Sequence, residues 1–285
     1  MSAPQVHADN SAQAEYWNAN AGQKWTEHQE HQDHVLRPVS DRLIAAAGPK
    51  PGERVIDVGC GCGATTIDFA ERVGPEGAVL GLDVSAPMLA RARERAKGLP
   101  ARFELADATV YAFEPEADLV ASRFGVMFFA DPARSFANLR KGLKAGGRLA
   151  FACWRAAKQN PFFIVPLREA GKHAPPLPET DPEAPVPFAF ASEARVRRVL
   201  SEAGFTDIVL DPHDLELDIA AGQGLETAVK AAVAIGPTSR ILKEQSEAVR
   251  SAAETDIRKA LAAHARGMSV PLGAAIWVVT AANPG

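Results

Sequence analysis

Nine consecutive residues, Val55-Ile56-Asp57-Val58-Gly59-Cys60-Gly61-Cys62-Gly63, constrain this chain more than any other segment. An apolar run enters three alternating glycines, and a helically spaced segment, 64–73, leaves them. Strand, tight turn and helix in immediate succession open a βαβ unit. Glycines lacking Cβ let the turn adopt positive φ and let a ligand lie against the backbone, with the amides at the start of the helix facing it. An anionic or carboxylate-bearing ligand suits such a turn.

The segments that follow keep the alternation. Strands are predicted at 54–58, 78–83, 101–105, 118–122 and 148–154, with helices at 64–73, 86–97 and 132–143, the pattern of a mostly parallel sheet. Ser85 before Pro87 and Asp131 before Pro132 supply helix starts, and Gly146-Gly147 marks the turn into the fifth strand. Upstream, 15–47 reads as helices rich in Trp, His and Gln, broken near Gly22 and Pro38, so 1–47 is an N-terminal helical cap and 48–285 the main domain. Residues 161–190 are Pro-dense and predict a loop crossing an opening. A helix over 192–203 ends at Gly204, a strand starts at Ile208, and 274–280 is a last apolar strand. Between them lies an Ala-rich helical insertion, 221–267, able to fold back over the carboxyl edge of the sheet, where open α/β folds bind ligands.

Charge and cysteine usage exclude several classes. The net charge is −4, with no Lys/Arg stripe, which argues against nucleic acid as a partner. Three cysteines, Cys60, Cys62 and Cys153, make no disulfide framework and fit a reducing compartment. The first twenty residues lack a cationic start and an apolar run, and no apolar stretch approaches the roughly 20 residues a membrane span needs. The expectation is a cytoplasmic protein without membrane insertion. No heptad seam declares an interface; a homo-oligomer is compatible with the sequence.

The glycine turn alone does not identify a ligand, since Gly59, Gly61 and Ala64 also satisfy the dinucleotide-binding spacing. The second strand ends in Gly81-Leu82-Asp83, placing a carboxylate where it accepts hydrogen bonds from ribose hydroxyls, which fits NAD and adenosylmethionine equally. Asp57 at the end of the first strand and Ala106-Asp107-Ala108 after the third narrow the pattern. In order from Val55 to Phe151, this set resembles the class I S-adenosylmethionine-dependent methyltransferases, particularly those of ubiquinone and menaquinone biosynthesis.

That resemblance implies an α/β fold: a Rossmann-like, doubly wound, mostly parallel seven-stranded sheet with its last strand antiparallel, an N-terminal helical cap and a C-terminal helical insertion. It implies S-adenosyl-L-methionine as cofactor, S-adenosyl-L-homocysteine as product and a small molecule as methyl acceptor. It places Gly59 and Gly61 at the methionine portion, Asp83 at the ribose, Met88 on the adenine face and Asp107 at the adenine amino group, with Ala108 supplying a backbone contact and Asp57, Cys60 and Val84 among the other cofactor-binding residues. Ser122, Arg123 and Phe124 fall beside the sulfonium and the acceptor. Trp17 and Trp25, with Tyr16, cover the cofactor; an aromatic face attracts a sulfonium as it does other cations, and packing onto the core is their other reading.

Other residues have plainer explanations. His28, His31 and His34 line one side of a helix, but Glu27, Glu30 and Asp33 interleave with them, so a wetted face fits better than a metal site and no metal is expected. His28 and His31 are the candidates for a general base overhanging the acceptor. Cys60 and Cys62 lack a second Cys/His pair at zinc spacing, and no Gly-x-Ser-x-Gly elbow follows a strand. Two alternatives remain open at this point: an NAD(P)-dependent oxidoreductase, although neither Tyr16 nor Tyr111 has Lys four residues on, and a non-catalytic adenosylmethionine-binding regulator. The Phe and Ala content of the segments after 160 predicts a mainly apolar acceptor pocket.

Overall fold

A computed structural model describes residues 6–7, 10–176, 181, 184–234 and 236–285. Four helices, α1 (Ser11–Asn18), α2 (Asn20–Glu27), α3 (Gln29–Val35) and α4 (Arg37–Ala47), precede the sheet. Then follow β1 (Arg54–Val58), α5 (Ala64–Val73), β2 (Ala78–Asp83), α6 (Ala86–Arg95), β3 (Ala101–Leu105), β4 (Ala117–Arg123), α7 (Pro132–Lys141) and β5 (Leu143–Trp154). The C-terminal part adds α8 (Pro161–Ala170), α9 (Glu193–Glu202), β6 (Thr206–Asp218), α10 (Leu225–Ala234), α11 (Pro237–Leu242), α12 (Glu247–Ala262) and β7 (Pro271–Ala282).

The seven strands lie in the order β3-β2-β1-β4-β5-β7-β6, parallel except β7, which runs antiparallel to both neighbours. Strand order reverses between β1 and β4, so right-handed crossovers put α5 and α7 on opposite faces and open a crevice at the carboxyl ends of those two strands. The strands are apolar because both faces are covered: Val55, Val58, Leu119, Val120, Leu149 and Phe151 are all buried. Asp131 caps α7 through the Arg134 amide as its position predicts, whereas Ser85 makes no side-chain cap bond and its hydroxyl donates to the Trp17 carbonyl instead.

Three expectations need correction. α4 packs on the sheet against β4, β5 and β7, burying Val39 and Leu43; a boundary after residue 47 therefore cuts a packed layer, and the overhanging part is α1 to α3. The segment 161–190 is not one loop, because its first ten residues form α8, with Pro161 in the first turn and Pro166 inside. The fifth strand starts at Leu143, not after Gly146-Gly147; the register jump between Ala117↔Leu143 and Leu119↔Arg148 bulges the glycines out within it.

The β6–β7 pair continues past the end of β5, from Asp214↔Ala275 to Asp218↔Pro271. Pro212 is tolerated because β6 is an edge strand. On this extension α8, α10, α11 and α12 enclose a second small core of Val229, Ile241, Ile257, Leu261 and Leu272. Among the described residues no helix is long and apolar enough to cross a membrane.

Candidate functional site

Along the carboxyl edge, β1, β2 and β3 each deliver a carboxylate. Asp57, fully buried, accepts 2.7 Å hydrogen bonds from the Thr65 and Thr66 hydroxyls on one oxygen, Oδ2. The anion at the start of α5 is thus the protein's own, set against the positive helix end. Its other oxygen, Oδ1, is buried without a partner. Burial pushes this carboxyl up from 3.8 to about 6, against the Thr66 and Thr65 bonds and the Arg123 charge, with Asp83 adding to the rise.

The glycine turn is tighter than an open cradle. Gly59, Gly61 and Gly63 all have positive φ. A Cβ on Gly59 would stand 2.7 Å from the Cα of Gly125, so this glycine lets the turns after β1 and β4 touch. A Cβ on Gly61 would meet the Met88 methyl at 2.7 Å. The Gly59 and Cys60 amides both donate to the Leu82 carbonyl, and the Gly61 amide donates to Asp83 Oδ2 at 2.8 Å. Cys60 turns its thiol into the core beside Gly81 and Phe103. Asp83 also accepts from the Ser85 amide on Oδ1; burial raises its pKa against these amide bonds.

Asp107, 1% exposed, collects three N–H donors: the Asn10 side chain and Thr109 amide on Oδ1 and the His7 amide on Oδ2, each at 3.0 Å. The N-terminal segment roofs this edge. Asn18 grips the loop after β2 from both sides, donating to the Val84 carbonyl at 2.6 Å and accepting from the Ala86 amide at 3.0 Å. The Ala108 carbonyl accepts from Asn138. Asn10, Asn18, Thr65 and Thr66 have no local sequence signal for these roles, because every partner is remote or across a turn.

The aromatics divide into two groups. Trp17 meets Trp25 at 6.2 Å and Phe128 at 5.6 Å, both edge-to-face; Trp25 also packs on the core. On the β4–β5 side, Phe124 stacks on Trp154 at 4.2 Å and 12°, and Phe163 sets its edge against Trp154 and Phe188. Phe124 holds φ 67°, a left-handed conformation costly for a bulky side chain and concentrated at functional sites. Its neighbours face elsewhere. Ser122 is buried with its hydroxyl donated to the Val58 carbonyl, and Arg123 reaches back to Ser40 Oγ at 2.8 Å. Burial lowers the Arg123 pKa, countered by Asp33, Asp57 and Asp68.

The structure separates the two candidate bases. His28 ends α2, while His31 sits where α3 approaches Ile219 beyond β6, its Nε2 buried without a hydrogen-bond partner. Burial lowers its pKa, helped by the charges of His28 and His34 and opposed by the Ile219 backbone and Asp218. Among the described residues no three His, Cys, Asp or Glu side chains cluster to hold a metal.

With this geometry in place, relatedness is informative. A model of the methyltransferase domain matches residues 55–147. The aklanonic acid methyltransferase DauC of Streptomyces sp. (strain C5) is 33% identical over 56% of this chain and 72% of its own length. The nocamycin O-methyltransferase of Saccharothrix syringae is 30% identical over 67% of this chain and 72% of its own. The chain belongs to the class I S-adenosylmethionine-dependent methyltransferases and uses that cofactor to methylate a small molecule, which sets the oxidoreductase alternative aside. Solved structures agree on the fold: phosphoethanolamine N-methyltransferase 2 of Haemonchus contortus, complexed with S-adenosyl-L-methionine, has a TM-score of 0.58 at 17% identity, covering 98% of this chain and 61% of that one. The cyclase SpnF, at a TM-score of 0.54 and 16% identity, covering 94% of this chain and 96% of that one, shares it too, so the fold alone does not specify methyl transfer.

Proposed function

We propose that the three carboxylates at the ends of β1, β2 and β3 bind the cofactor, and that the acceptor is an apolar small molecule methylated on a hydroxyl beside Phe124. The observation that carries this is the division of the edge: buried acceptors on the β1–β3 side, and a strained, stacked aromatic group on the β4–β5 side. The residues fit the cofactor. The partnerless Asp57 Oδ1 suits the methionine ammonium, and the lone pairs left on Asp83 suit ribose hydroxyls. Gly59 and Gly61 present bare backbone to the methionine portion, Met88, whose methyl lies over Gly61, offers its side chain to the adenine face, and Trp17 and Trp25 offer aromatic faces to the cationic sulfur. Val84, Cys60 and Ala108 contribute through their backbones.

The cofactor supplies an activated methyl group on a positively charged sulfur. This chain contributes alignment, exclusion of water by the roof, and, for a hydroxyl acceptor, a proton acceptor. His31 is the better base of the two, since burial keeps its imidazole neutral. The nocamycin relative is named as an O-methyltransferase, which favours oxygen as the accepting atom. Nucleic acid remains outside this reading, a homo-oligomer is compatible with it, and the cytoplasm is the proposed compartment.

The test is a methylation screen of planar apolar phenols and enols against highly charged small molecules, followed by His31→Gln on the best substrate. The expected outcome is turnover of an apolar hydroxyl compound, falling about 10²–10⁴-fold in His31→Gln with unchanged S-adenosylhomocysteine affinity. Selection of a highly charged acceptor, or a full-rate His31→Gln enzyme, contradicts the acceptor or the base respectively.

A further inference from the structure

Asn10 stands immediately before α1, the position where an asparagine ordinarily turns its side-chain oxygen to the helix's own first amides. It makes no such cap bond. Its Nδ2 is drawn away to Asp107 Oδ1, and its Oδ1 is buried without any partner in a residue only 6% exposed. A buried amide oxygen left without a donor is costly, so its persistence needs an explanation. Nearby, the Thr109 hydroxyl is also buried and partnerless. Asn10, Thr109 and His7 line one small cavity of about 10 Å³ with Asp131 and Ser135, room for about one water.

Asp107 next to it is nearly saturated. Of roughly four acceptor positions on a carboxylate, Oδ1 uses two for Asn10 and Thr109 and Oδ2 uses one for His7. One place remains on Oδ2, and the Asn10 oxygen, whose amide nitrogen is hydrogen-bonded to the same carboxylate, has two. A primary amino group on an aromatic ring carries two N–H donors diverging in one plane and needs two acceptors when buried.

We infer that Asn10 is a cofactor-binding residue: its Oδ1 accepts the second N–H of the purine amino group whose first N–H goes to Asp107. This rests on Asp107 marking the adenine position. The residue reaches the site from outside the sheet, on the segment that also carries His7. With Asp107 1% exposed beneath His7 and Asn10, the purine reaches its place only when these two residues move aside, and Asn10 closes behind it. The N-terminal segment is thus a strap that reads the base as well as covering it.

The experiment is calorimetric titration of the full chain with two probes, S-adenosylhomocysteine and its analogue with hydrogen in place of the purine amino group. Wild type, Asn10→Ala and Asp107→Ala are compared by the ratio of the two dissociation constants. Both constants come from one variant, so loss of folded protein changes the active fraction and not the ratio. Wild type is expected to prefer the amino-bearing probe, and Asn10→Ala to narrow that preference about three- to tenfold while binding the analogue nearly as wild type does. Equal weakening of both probes in Asn10→Ala reduces Asn10 to an anchor for the strap and overturns the inference, as does an unchanged ratio. A wild-type ratio in Asp107→Ala shows instead that the adenine has been placed wrongly.

Discussion

Asp57, to which the proposed function gives the methionine ammonium, works against folding. With its carboxyl raised from 3.8 to about 6, the folded chain holds a proton between those values that the unfolded chain has released. Folding is therefore unpenalised below about 3.8 and progressively disfavoured as the pH rises through the window, by about 3 kcal/mol once above 6. Asp57→Asn keeps an oxygen for Thr65 and Thr66 and removes the charge. Its melting temperature is expected to gain on wild type as the pH goes from 4 to 7, while its affinity for S-adenosylhomocysteine drops. In wild type the same affinity weakens as the pH falls through about 6, because the protonated carboxyl no longer attracts the ammonium. A difference in melting temperature independent of pH would show that Asp57 does not titrate in that range.

The element that joins the two halves of the site is the turn after β4. Ser122 Oγ donates to the Val58 carbonyl at 2.7 Å and accepts from the Gly125 and Val126 amides at 3.1 and 3.3 Å. One hydroxyl thereby pins β4 to β1 and sets the Phe124 backbone. A Cβ on Gly125 would lie 2.6 Å from the Val58 oxygen and 2.9 Å from the Gly59 Cα, so the two turns have no slack. Ser122→Ala leaves the Val58 carbonyl, the Val126 amide and the half-buried Gly125 amide without this partner and is expected to cost about 1–3 kcal/mol in urea unfolding. It is also expected to lower S-adenosylhomocysteine affinity, although Ser122 itself stays in a positioning role. Wild-type stability would mean that the turns are held by packing alone.

Across the whole molecule, what the sequence made legible is what depends on near neighbours. The glycine turn at 59–63, the acidic ends at Asp83 and Asp107 and the strand–helix alternation are local patterns, and each appears in the structure where its spacing puts it. What was illegible depends on distant partners. Asn10 looks like a helix cap and is taken by Asp107, 97 residues away. Ser122 is one of three polar residues in β4 until the Val58 carbonyl gives it meaning. α8 contains Pro166, which costs a helix about 3 kcal/mol, yet Pro166 is buried and the helix packs on α11 and α12. Tertiary burial outweighs that penalty, and no local rule announces it.

On the proposed function, one adenosyl cofactor occupies the edge between Asp57, Asp83 and Asp107. Calorimetric titration with S-adenosylhomocysteine, with NAD and NADP in parallel, tests it most directly on wild type and Asp83→Ala. The expected result is saturable binding of S-adenosylhomocysteine alone, one per chain, weakened in Asp83→Ala by about 1.5–3 kcal/mol through loss of a charged acceptor. Binding of a nicotinamide nucleotide, or full affinity in Asp83→Ala, would contradict it.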